Sequence, residues 1–179
     1  MLNQEIIIEA ETAAIQIPGG NAVILPEGSR IYITQSLGNS ITAATDIGLV
    51  RISREEAACA GINLPEDAKP AADENLTLEE RVWNVLRGIY DPEIPVDIVN
   101  LGLVYGVEVI PQQEGGAQVN VQMTLTAPGC GMGPHIMAEA ELGIAALDGV
   151  KNVDVEFVWD PPWNQDMMSE EARMQLGYI

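Results

Sequence analysis

The chain is poor in the residues that most often build metal sites, disulfide frameworks and aromatic cores. It has two cysteines, one histidine and only 4% aromatic residues. Cys59 and Cys130 cannot form a disulfide framework. Together with one histidine they cannot supply the four ligands that structural zinc takes. Basic residues are scarce as well: eight Lys and Arg face 27 Asp and Glu, for a net charge of −19. That balance argues against nucleic acid held on a basic surface, and against docking on anionic membrane. No apolar run approaches the ~18–20 residues of a spanning helix. The first residues, Met-Leu-Asn-Gln-Glu, lack a basic stretch followed by an apolar one, so no signal peptide is expected and the cytoplasm is the default compartment. A Gly-rich phosphate loop, a Gly-x-Ser-x-Gly elbow and a dinucleotide fingerprint are also missing.

What remains is 179 residues with 47% hydrophobic content, enough for one medium or two small domains with aliphatic cores. Composition breaks at residues 65–76, which are rich in Pro, Ala and acids and show no periodicity. They read as a linker between a module at 1–64 and a domain at 77–179.

The first module reads as β-rich. Short β-forming runs at Ala13–Ile17, Ala22–Leu25, Arg30–Gln35 and Leu49–Ser53 are separated by Pro/Gly turns. Ser53-Arg-Glu-Glu56 then opens a short capped helix that carries Ala57, Ala58 and Cys59. Among these small apolar residues Cys59 reads as packing.

The second domain starts with a capping box, Thr77-Leu-Glu-Glu80. Leu78, Val82, Val85, Leu86 and Ile89 follow on one helical face, and Pro92 ends the helix by Tyr90. Leu103–Ile110 and Val119–Leu125 read as strands joined by the Gln112–Gly116 turn. The second strand alternates apolar residues with Asn120, Gln122, Thr124 and Thr126. A helix from about Pro134 to Leu147 and a strand at Val153–Trp159 complete the order helix, strand, strand, helix, strand. A short helix at Ser169–Leu176 closes the chain. The fold class is α+β: a two-layer domain with helices on one face of a small mixed sheet, beside a smaller β-rich N-terminal domain.

Three segments are not explained by core patterning. Leu125-Thr-Ala-Pro-Gly-Cys-Gly-Met-Gly-Pro134 bends sharply and exposes Cys130 just before a helix. The helix field and nearby amides there favour a thiolate, the form that attacks electrophiles or binds metal. Asp91-Pro-Glu-Ile-Pro-Val-Asp97 carries three candidate oxygen ligands or bases: Asp91, Glu93 and Asp97. Trp159-Asp-Pro-Pro-Trp-Asn-Gln-Asp-Met-Met168 gathers aromatic and sulfur-bearing side chains round a Pro-Pro bend. Such a loop either docks a partner or closes the open side of the sheet. His135 stands five positions after Cys130, where it could be a base or a second ligand.

Asp91-Pro-Glu-Ile-Pro-Val, Asn100-Leu-Gly-Leu-Val-Tyr105 and Met123-Thr-Leu-Thr-Ala-Pro-Gly-Cys130, in that order, resemble the small iron–sulfur assembly domain shared by SufT, PaaD and the eukaryotic cytosolic targeting factors. Val158-Trp-Asp-Pro-Pro-Trp163 and Met168-Ser-Glu-Glu-Ala-Arg173 are similar to SufT-type members in particular, as is the extra β-rich half. The resemblance implies a maturation factor, not an enzyme, with a functional pocket of Asp91, Glu93, Thr126 and Cys130. It implies a transient iron–sulfur cluster or iron bound through Cys130. The implied partners are the assembly machinery, client apo-proteins and a second copy of the chain. Many relatives have proline after the cysteine; here Gly131 follows, which loosens the pocket. Two alternatives stand beside this reading. One is an adaptor that docks partners through Trp159, Trp163, Met167 and Met168. The other is an enzyme with Cys130 as nucleophile and His135 or Glu93 as base.

Overall fold

The computed structural model describes residues 5–64 and 75–178. The linker expected at 65–76 lies outside them except for its last two residues. The described residues form two compact units: 5–64 together with Pro92–Pro95, and 75–91 together with 96–178.

The first unit is an antiparallel sheet of β1 (Glu5–Ile7), β2 (Thr12–Gln16), β3 (Ala22–Leu25), β4 (Arg30–Leu37), β5 (Ser40–Thr45) and β6 (Gly48–Ser53), ordered β1-β4-β5-β6-β2-β3. Its β-rich character follows the sequence pattern, although β1 and β5 carry no turn-bounded alternation strong enough to announce them. Helix α1 (Arg54–Cys59) starts on Ser53, whose hydroxyl accepts the Glu56 N–H. Ile8, Ile31, Ile41, Val50 and Ile52 form an aliphatic core with Ala57 and Ala60. Cys59 is exposed, against the expectation that it packs. Ala57 and Ala60 sit three apart on the buried face of this short helix, which leaves position 59 on the far side.

In the second unit, α2 (Leu78–Arg87) begins with the complete capping box of Thr77 and Glu80. It buries Val82 and Leu86, and its C-cap is Gly88, just ahead of the expected stop. The sheet runs β7 (Val104–Pro111), β8 (Ala117–Met123) and β9 (Val150–Phe157), in that spatial order. β7 and β8 are antiparallel. β8 and β9 are parallel, and α3 (Gly133–Ala145) lies between them in sequence. A parallel pair requires such a crossover, because a tight turn cannot return the chain in the same direction. Val119, Val121 and Met123 are fully buried, with Ile136, Ala140 and Ile144 of α3. Gly143 lets α3 approach α2: a Cβ there would meet Val85 Cγ1 at 2.7 Å. A one-turn 3₁₀ helix, Gln165–Met167, and α4 (Glu170–Gln175) end the chain.

Candidate functional site

The Cys130 turn is built from two consecutive reverse turns. In the first, the Ala127 carbonyl accepts the Cys130 N–H at 3.4 Å. Pro128 presets its first corner, and Gly129 takes φ +82° at the second, the arrangement of a type II turn. In the next, the Cys130 carbonyl accepts the Gly133 N–H at 3.1 Å, which leads directly into α3. Gly133 is closely packed: a Cβ there would sit 2.6 Å from Leu125 Cδ1, which would have to move, and 3.4 Å from Phe157 Cζ. Helix and strand ends therefore meet tightly just behind the cysteine. Cys130 itself is half-buried and in no disulfide, and Thr126 is half-buried beside the same bend.

The start of α3 spends its donors differently from the sequence expectation. Its N-cap, Met132, makes no side-chain cap. The Gly133 N–H goes to Cys130, Pro134 has none, and those of His135 and Ile136 both go to the Met132 carbonyl at 3.1 Å. The first turn of the helix thus satisfies its own amides. His135 is half-buried in that turn.

The acidic loop separates its three candidates. Tyr90 and Asp97 form an isolated bridge, and the Asp91 N–H donates to the Val96 carbonyl at 3.2 Å. Asp91 is only 8% exposed. Asp97 is a structural carboxylate: Oδ1 accepts the N–H groups of Val99 and Asn100 at 3.0 and 2.9 Å, and Oδ2 accepts from Asn100 Nδ2 at 2.7 Å. Glu93 is exposed and belongs to Pro92–Pro95, which groups with the first unit; Asp91, Thr126 and Cys130 belong to the second. Among the described residues, no three His, Cys, Asp or Glu side chains are placed to hold a metal ion.

The tryptophan loop is largely pinned to its own unit. Trp163 donates its indole N–H to the Leu101 carbonyl at 2.8 Å. The Tyr105 hydroxyl donates to the Pro161 carbonyl at 2.7 Å and lies 3.6 Å from Met167 Sδ. Ser169 N–H reaches the Asn100 carbonyl at 2.9 Å. Gly102, at φ +74°, lets the Met167 backbone approach where a Cβ would stand. Met168 is buried, and Met167 and Trp163 are half-buried. Trp159 is the exception: it is 46% exposed and packs on Phe157 with ring centroids 5.8 Å apart. Phe157 in turn reaches Gly133, so Trp159 and the Cys130 turn lie at the same end of the unit.

Sequence reasoning missed one feature as a surface. Glu108, Asn120, Gln122, Asp154 and Glu156 line a concavity of about 490 Å³ on the open face of the three-stranded sheet. The alternation of polar residues along β8 and β9 was its signal.

A family model described as iron-sulfur cluster assembly protein matches residues 79–157. An Fe-S protein maturation auxiliary factor of Porphyromonas gingivalis is 43% identical over 109 residues, 60% of this chain and 98% of that protein. The Fe-S protein maturation auxiliary factor SufT of Staphylococcus aureus is 46% identical over 89 residues, 50% of this chain and 97% of the relative. Among solved structures, a domain of unknown function DUF59 from Bacillus anthracis superposes with TM-score 0.50 at 34% identity, covering 57% of this chain and 93% of that one. Spanned almost end to end by half to three-fifths of this chain, these proteins have no room for a counterpart to the remainder. They therefore do not carry the whole-chain SufT likeness suggested by the sequence.

Proposed function

The chain belongs to the SufT-type iron–sulfur cluster assembly family, and from that premise we propose that it is an auxiliary factor that helps place iron–sulfur clusters in client apo-proteins, acting through Cys130. The observation that carries this reading is the near-complete coverage of maturation auxiliary factors at 43–46% identity. Those relatives bear the names of maturation factors and not of catalysts, so the role is assembly and not turnover of a small substrate.

The chemistry of the turn supports a transient hold on the cargo. Cys130 is one accessible thiol on a bend fixed by Pro128, Gly129 and Gly133, and no trio of metal-binding side chains surrounds it among the described residues. One thiolate cannot retain a cluster that four would keep. Its other ligands come from a client, a carrier or a second copy of the chain. Release is then a ligand exchange: an incoming client thiol takes the place of the Cys130 sulfur on iron, its proton passes to the departing Cys130 thiolate, and no electron moves. Thr126 lies beside the bend, and Asp91, in the same unit, is a candidate contributor from its loop. Trp159 offers an exposed aromatic surface for a partner at the same end of the unit, which favours partner docking as the second element of the role.

Anaerobic reconstitution of wild type and Cys130→Ala, read by visible absorbance, iron and sulfide content and transfer to an apo-client, tests the proposal. We expect a labile cluster in wild type only, and loss of client maturation in a variant that remains folded. Full client maturation by Cys130→Ala would refute the role of the thiol. Maturation that needs Trp159 but not Cys130 would establish the adaptor reading in its place.

A further inference from the structure

Among the described residues, the sheet of the first unit is open and has two edges, β1 and β3. β1 is three residues long and carries Glu5, which accepts the Tyr32 hydroxyl at 2.6 Å and lies 3.8 Å from Arg30. Short length and charge keep an exposed edge from recruiting another strand. β3 carries neither charge nor proline: its residues are Ala22, Val23, Ile24 and Leu25. Leu25 lies in the core and Val23 packs against that core. Ala22 is exposed, and Ile24 is 62% exposed.

The ladder fixes which main-chain groups of β3 stay open. The Gln16 N–H donates to the Asn21 carbonyl at 2.8 Å, and Ala14 and Thr12 then stand opposite Val23 and Leu25. Bonds in an antiparallel pair fall on alternate residues, so Asn21, Val23 and Leu25 serve β2. Ala22 and Ile24 turn N–H and C=O away from it, toward a side where no strand follows among the described residues. The open stretch is closed off at both ends. Gly20 gives its N–H to the Gln16 carbonyl at 2.8 Å. Pro26 has no N–H, and its carbonyl accepts the Ser29 N–H at 3.1 Å.

Two open residues placed symmetrically about Val23 are their own complement. In an antiparallel copy related by a two-fold axis at Val23, Ala22 meets Ile24 of the second copy, and Ile24 meets its Ala22. Every outward N–H then finds an outward C=O, which leaves none of these groups unpaired. The same register sets Glu27 opposite Gly19, so carboxylates at the strand end do not face each other. A strand from another protein could use the same groups only with a matching length and register; the second copy has both by construction.

We propose that two copies of this chain associate through β3, pairing edge to edge about Val23 and joining their sheets into one. The guarded β1 edge gives further copies no place to add, so the assembly closes at two. The interface belongs to the first unit and needs nothing from Cys130.

Sedimentation of the full chain from micromolar to millimolar concentration, with amide hydrogen exchange at both extremes, tests this. We expect a monomer–dimer equilibrium. The Ala22 and Ile24 amides should exchange slowly in the dimer and fast on dilution, while the Val23 amide stays protected throughout. Ile24→Pro removes an outward N–H and spares the ladder to β2, and Ile24→Lys adds charge to the edge. Both are expected to weaken association at least tenfold. Leu142→Lys, at a site 73% exposed on α3, should weaken it less than twofold. Ile24→Lys carries the test if Ile24→Pro does not fold. A monomer at every concentration, a dimer that Ile24→Lys leaves intact, or fast exchange of Ala22 and Ile24 within the dimer would overturn the proposal.

Discussion

Glycine at position 102 shows how much one missing atom decides. Its backbone is left-handed at φ +74°, and the Met167 backbone occupies the space of a Cβ. Gly102→Ala is expected to destabilise the second unit by more than ~1 kcal/mol, because alanine is strained at positive φ and the loop must also lift away. Lifting the loop would part Trp163 from the Leu101 carbonyl, so tryptophan emission should shift to the red; unchanged emission and melting temperature would disprove the latch. The bend that carries Cys130 was legible from its Gly and Pro neighbours, since those residues state a turn in the sequence itself. Cys59 was not, because the burial of a residue in a six-residue helix depends on which face meets the sheet, and small apolar composition does not specify that. Asp97 looked like a ligand for a similar reason: an acid that caps its own loop and an acid that awaits a metal are spelled alike.

At the level of the element, α2 is the segment whose ends the sequence states best. Thr77 and Glu80 bond reciprocally: Glu80 Oε2 accepts the Thr77 N–H at 2.8 Å, and Thr77 Oγ1 accepts the Glu80 N–H at 3.2 Å. Thr77→Ala is expected to cost about 1 kcal/mol, read from urea midpoints. The Thr77 backbone N–H, and then its hydroxyl, hold the Glu80 carboxyl below its ordinary value of 4.5. A depressed carboxyl stabilises the fold at pH values above its unfolded pKa, and this contribution is lost as pH falls through the folded one. The difference between wild type and Glu80→Gln should therefore be constant near neutrality and shrink below about pH 4.5; a gap that widens in acid would contradict the cap. Strands with strict alternation, such as β8, were equally readable. β1 and β5 were not, because their identity comes from neighbours in the sheet and not from their own period. The carboxylates of the open face escaped notice for a related cause, since their grouping exists only once β7, β8 and β9 are in register.

Across the whole molecule, the dominant physical fact is a net charge of −19, set by 27 acidic residues against only eight basic ones. The Arg30–Glu5 pair is exposed and 3.8 Å long, a weak counterweight. Self-repulsion of this size is relieved by screening. Raising sodium chloride from 10 mM to 300 mM should raise the melting temperature by several degrees; a fall or a flat response would mean that local attractions outweigh the net field. Parallel pairing of β8 with β9 also orders events in time. Val121 meets Val155 only after the intervening crossover has closed, a long loop whose entropy must be lost before the contact rewards it. The bend that carries Cys130 lies inside that crossover, and Phe157, which packs behind it, is the last residue of β9. During synthesis the thiol therefore leaves the ribosome before the strand that frames it, so a nascent chain presents a finished cysteine bend only when its second unit is nearly complete.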